Sequence, residues 1–285
     1  MRKISPVLLG LSIAVIGCSF AAAQETASMP KVLQITREFT KPYKNGAAHD
    51  KTESAFVQAS IRAKFPVHYI ALNSLTGKSR VLFITPYDSF ASWGKGNDLV
   101  NNNKALAAEF ERDGIADGEL LDSVDSVAYT YDEELSYKPH ADLAHARYVE
   151  IYVYHVRAGH WEDWRKLGKL VRETHDKAGT SAHWAMYEIA YGSEGGTCIA
   201  LSAHKSMADI DTAYAEDKKF RETLGEAGMK EIDKLFAETV DTSHTELFAI
   251  NPHQSYAPEE YLKADPDFWR PKAAAPAAKP KKTTP

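Results

Sequence analysis

The chain has 285 residues, 26% of them charged, and a formal net charge of −5. Two basic residues sit in the first three positions and four lysines in the last fourteen, so residues 24–271 hold 28 Lys and Arg against 39 Asp and Glu, which argues against nucleic acid as a partner. Of the two cysteines, Cys18 falls in a leader and Cys198 stands alone, so no internal disulfide braces the folded part and stability must come from an apolar core.

Met1-Arg2-Lys3, the apolar run from Ile4 to Ile16 and the small residues after it have the layout of a secretory signal peptide. The run is too short to be an integral membrane span. Ala21-Ala22-Ala23 before Gln24 fits ordinary signal peptidase, giving a leader over 1–23 and a periplasmic or secreted protein. Alternatively, Val15-Ile16-Gly17-Cys18 resembles a lipobox, with a leader over 1–17 and a lipid anchor at Cys18 of a membrane-attached lipoprotein.

Val32 to Phe39 alternates as a half-buried strand, and Phe56, Val57, Ser60 and Ile61 mark one face of a helix after it. Two strands follow around Gly77, His68 to Asn73 and Arg80 to Thr85, then a helical stretch from Lys104 to Val124 broken near Gly114, and a strand from Ser126 to Asp132. The same series begins again with a strand at Tyr148 to Val156. A helix carries Trp164, Leu167, Gly168, Val171 and Ala178 on one face, and strands His183 to Ile189 and Thr197 to Ser202 flank Gly192, Gly195 and Gly196. A helical stretch from Ala208 to Val240, broken near Gly225 and Gly228, and a strand from Thr242 to Ile250 complete it. The Ala, Pro, Lys and Thr of 271–285 cannot build a core and read as a disordered tail.

Sequence anchors bind the two series into a repeat. Val124-Asp125-Ser126 recurs as Val240-Asp241-Thr242, Ser136-Tyr137-Lys138-Pro139 as Ser255-Tyr256-Ala257-Pro258, and His68-Tyr69 as His183-Trp184. The repeats span 31–140 and 147–258, each with the order β-α-β-β-α-β of the ferredoxin-like split unit, which makes the chain α+β. In this order and duplication the chain resembles the dimeric α+β barrel superfamily, whose members include antibiotic-biosynthesis-type monooxygenases, NIPSNAP-like and EthD-like proteins. The resemblance implies that the two sheets pack through their helix-free faces, here within one chain, and enclose a small-molecule cavity.

Strand periodicity nominates the residues facing that cavity. If Val149, Ile151 and Val153 pack on the helices, Glu150, Tyr152 and Tyr154 turn to the cavity, and Gln34, Thr36 and Glu38 do so in the first repeat. Glu150, mid-strand between apolar neighbours, is the candidate catalytic acid or base; Tyr152, Tyr154, Glu38, His244 and Glu246 are candidate ligand contacts. The competing reading is that such residues form satisfied hydrogen-bond networks. His68 and His183, being repeated, suit a folding role. Trp161 and Trp164 suit core packing, and Cys198 suits a buried inert thiol.

No HExxH, paired CxxC, acidic calcium loop or Gly-rich phosphate loop occurs, so no metal or cofactor is expected from motifs. Three functions fit: an exported small-molecule-binding protein, a cofactor-independent oxygenase or isomerase for an aromatic or quinone-like compound, and a structural protein whose barrel is filled by side chains.

Overall fold

A computed structural model describes residues 28–270. The leader and its Cys18, and the tail over 271–285, lie outside the described residues. In chain order the elements are β1 (Val32–Thr40), α1 (Ala47–Ala63), β2 (Tyr69–Ser74), β3 (Arg80–Tyr87), α2 (Phe90–Asn102), α3 (Lys104–Gly118) and β4 (Leu121–Tyr137). After a 3-10 turn at Leu143–His145 come β5 (Tyr148–Val156), α4 (Trp161–Ala178), β6 (Trp184–Tyr191), β7 (Thr197–His204), α5 (Met207–Thr239), β8 (Val240–Tyr256) and two short helices, α6 (Glu259–Ala264) and α7 (Pro266–Trp269). None of the described helices is long and apolar enough to cross a membrane.

The eight strands close into one antiparallel barrel in the order β1-β3-β2-β8-β5-β7-β6-β4. Within the N-terminal half the order is β4-β1-β3-β2 and within the C-terminal half it is β8-β5-β7-β6. Pairing of β2 with β8 and of β4 with β6 joins the halves edge to edge. Closure leaves no unpaired edge strand. The last strand of each half runs for 17 residues, well past the expected ends, and these long strands make the seams.

Local chemistry explains the element ends. Ser89 caps α2 with a reciprocal bond to Ser92, and Ser206 with Asp209 does the same for α5. Helix α4 has Glu162 and Asp163 in its first turn, His175 and Lys177 in its last, and left-handed Gly179 as its stop. In the β6–β7 turn Gly196 has φ +91°, and a Cβ there would lie 2.5 Å from the Val156 carbonyl oxygen, so only glycine fits. The expected break at Gly225 is present as a residue of φ 69°, ψ 173° inside α5. Gly114 breaks nothing: α3 runs through it, and its bare Cα faces the Phe56 ring of α1. Helix α2 was not expected, because Gly94, Gly96 and its asparagines lower its helical propensity.

The main core lines the inside of the barrel rather than the helix interface. Leu33, Ile35, Leu72, Leu82, Tyr187 and Phe248 belong to it with residues of every other strand, whereas no residue of α1 to α5 does. A second cluster joins Trp164 and Leu167 of α4 and Leu235 of α5 to Met186, Cys198 and Ala200 on the outer face of the sheet. The expected facing of the strands is therefore reversed. Leu33, Ile35, Val149 and Ile151 point into the barrel; Glu38, Glu150, Tyr152 and Tyr154 point out to the helices. Periodicity identifies two faces of a strand but does not say which is inside, and a closed barrel is the driest place for the apolar one.

One end of the barrel is plugged. Tyr261, Leu262, Phe268 and Trp269 of α6 and α7 pack on the barrel core, with the Trp269 indole donating to the Ala144 carbonyl at 2.8 Å. Arg147 stacks its guanidinium over the Phe268 ring at 3.8 Å and pairs with Asp265. The opposite end, at the C-terminal ends of β1 and β5, is open.

Candidate functional site

At the open end lies a cavity of about 650 Å³. Its depth is apolar, lined by Ile35, Leu82, Val127, Ile151 and Ile199 with the Tyr129 ring among them. Alternation along the strands carries the same inward face upward to Arg37 on β1, Arg80 on β3, His155 on β5 and His244 and Glu246 on β8, which form a charged rim. The β2–β3 turn crosses this rim, bringing Gly77 so near that a Cβ would lie 3.1 Å from Glu246 Oε1.

Most rim charges are paired. Arg37 donates to both carboxylate oxygens of Asp125, at 2.6 and 2.9 Å. Arg80 donates to Glu246, lies over the Phe39 and Phe248 rings, and is almost wholly buried. His244 stands 4.0 Å from the same Glu246 carboxylate, and Arg157 holds Asp241 at 2.8 Å. Deeper down, burial pushes the Tyr129 phenol up to about 12, so it stays protonated at neutral pH and can donate a hydrogen bond.

Of the six nominated residues the cavity brings together His244 and Glu246 on its inner face, with Tyr154 at its border. Tyr154 and the other three stand on the helix side. Glu150, buried, holds His204 Nε2 at 2.9 Å and receives the Tyr152 hydroxyl at 3.2 Å. Burial first, and then the Glu150 charge, raise the Tyr152 phenol above its ordinary range. Tyr154 borders the mouth, but its ring packs on Trp164 and Phe236 of the helices. The Arg37 and Arg80 side chains were not singled out in the sequence; their signal was the inward alternation with Ile35 and Leu82, visible only once the inner face is known.

Glu38 belongs to a second constellation behind the barrel wall. His49 of α1 directs Nε2 to Glu38 Oε2 at 3.1 Å, Asp117 Oδ1 at 3.3 Å and Glu53 Oε1 at 3.9 Å. His49, Glu53 and Asp117 are 0%, 3% and 2% exposed. The repeated histidines are structural: His68 bonds to and stacks on Tyr256, and His183 Nε2 lies 2.8 Å from the Ala203 carbonyl oxygen.

No family model matches the chain, and no curated protein matches its sequence. Solved structures do match its fold. An anthrone oxidase-like protein superposes with a TM-score of 0.52 at 13% identity, over 79% of this chain and 93% of that one. A mutant chlorite dismutase from Candidatus Nitrospira defluvii gives 0.51 at 10% identity over 83% and 96%. A monooxygenase candidate from Fusobacterium nucleatum gives 0.52 at 9% identity over 78% and 93%. The fold is that of the dimeric α+β barrel proteins. At these identities the likeness concerns architecture, and chemistry must be argued from the site.

Proposed function

We propose that the protein is an exported small-molecule-binding protein whose site is the open-ended barrel cavity. The carrying observation is a cavity of about 650 Å³, apolar in depth and charged at its rim, in a barrel plugged at the other end. Its size lies in the ~300–1,000 Å³ range of small-ligand sites. An aromatic or quinone-like compound fits this gradient, its ring among Ile35, Val127 and Ile151, with a carbonyl or hydroxyl group reaching the Tyr129 hydroxyl or the rim. The similar chain order of the two halves supports reading them as two ferredoxin-like copies that supply the two halves of the site. The leader pattern of residues 1–23 supports export.

Two of the groups at the cavity support a binding role. The rim carboxylate of Glu246 is held by Arg80, and the Tyr129 phenol is too weak an acid to serve as a base at neutral pH. The test is native mass spectrometry of the purified protein against a panel of aromatic acids, phenols and quinones, repeated with Val127→Trp, which fills the cavity. We expect a 1:1 complex with at least one panel member and its loss in the variant at a nearly unchanged Tm. Equal binding by a folded Val127→Trp protein, or no binding across the panel, rejects the assignment. Intact mass of the exported protein tests the leader.

A further inference from the structure

We propose that Glu38, His49, Glu53 and Asp117 form a binding site for one divalent first-row transition-metal ion, buried between the barrel wall and helices α1 and α3. Three elements converge there: β1 supplies Glu38, α1 supplies His49 and Glu53 one turn apart, and the end of α3 supplies Asp117. One donor atom from each lies within 4.8 Å of all the others. The separations from His49 Nε2 of 3.1, 3.3 and 3.9 Å compare with the ~3–3.6 Å expected between ligands each about 2.0–2.2 Å from a common ion.

The donor set consists of carboxylate oxygens and one imidazole nitrogen. Three carboxylates surround one imidazole in a space almost closed to water. Independently, Glu53 Oε1 has no hydrogen-bond partner although buried, and it points at the cluster. An orphaned buried carboxylate oxygen is costly and calls for a ligand.

The second half of the chain shows that the fold does not require these groups. The seventh residue of β5, Tyr154, matches Glu38, the seventh of β1. Tyr154 packs its ring on Trp164 and Phe236, which lie 115 and 119 positions after His49 and Asp117, the separations that relate the two halves elsewhere. An aromatic trio thus closes the helix–sheet interface in one half, and a His–carboxylate set occupies the same place in the other. Supporting contacts orient the set: Thr52 donates to Asp117 Oδ1 at 2.6 Å, and the Gln254 amide stands 3.4 Å from His49 Nδ1. One imidazole with three carboxylates suits Mn²⁺, Fe²⁺ or Zn²⁺ better than thiolate-seeking ions.

The test is calorimetric titration of the chelator-treated full chain with ZnCl₂ and, separately, MnCl₂. One ion per chain with Kd below about 1 µM for at least one metal is expected, weakened at least 100-fold in Glu53→Gln and unchanged in His160→Ala. Absence of saturable binding to the wild-type chain, or wild-type affinity in a folded Glu53→Gln chain, overturns the site. A measurement free of variants is Mn²⁺-induced broadening of amide resonances in the wild-type protein. Broadening centred on residues 38, 49, 53 and 117 supports the assignment, and broadening centred elsewhere rejects it. The cavity ligand has no part in either measurement.

Discussion

Glu150 Oε2 and His204 Nε2 lie 2.9 Å apart across the β5–β7 pair, both buried beneath the helices of the C-terminal half. The same oxygen receives the Tyr152 hydroxyl, so both of these bonds hold the carboxylate within the fold. Glu150→Gln replaces a charged acceptor with a neutral amide in a dry site and should cost about 1–3 kcal/mol of stability. Denaturant unfolding measures this. Because the barrel wall separates the pair from the cavity, affinity for a cavity ligand should stay within twofold of wild type; a larger loss of affinity in the folded variant would refute this placement.

Stability should depend on pH through Glu188. Burial first, and the neighbouring Asp132 carboxyl second, raise its carboxyl to about 7, against the opposing charge of Arg165. The native protein then holds a proton that the unfolded chain, titrating near 4.5, has lost, so this group's contribution makes stability fall as pH rises from about 4.5 to about 7. Glu188→Gln should flatten the profile across that window and raise stability above pH 7. Partial contact with water keeps the gain below the unscreened value. Urea unfolding of both proteins at pH 5 and pH 8 checks it; equal differences at the two pH values count against the shift.

Cys198 should be unreactive in the native state. Its side chain is fully buried in the cluster with Trp164 and Leu167, and burial pushes its thiol up to about 12, so almost no thiolate is present at pH 8. Alkylation with iodoacetamide, followed by intact mass, should be undetectable over hours in buffer and complete within minutes in denaturant. Rapid labelling of the native protein would show that this helix–sheet interface opens.

Much of the architecture was legible in the chain. The glycines at 77, 192 and 196 marked the hairpins, Trp164 and Leu167 marked the buried stripe of α4, and the closing strands were placed at Ser126 to Asp132 and Thr242 to Ile250, inside the longer β4 and β8. What could not be read was direction. Alternation in Val149-Glu150-Ile151-Tyr152 defines two faces, and both are buried, one by the barrel and one by the helices. Polarity therefore did not distinguish cavity from interface. The His49–Glu53 pair stood in view at helical spacing, but its partners lie 11 residues before and 68 after His49, and only the folded chain unites them.

The plug has a consequence for orientation. Pro30 accepts the Tyr187 hydroxyl beside the plugged end, and Trp269 is itself part of the plug, so the described chain enters and leaves on the same side of the barrel. The mouth therefore faces away from the points at which the described chain begins and ends. A solute approaching the mouth meets a mixed rim in which Arg37, Lys78 and His244 stand beside Glu194, Asp241 and Glu246.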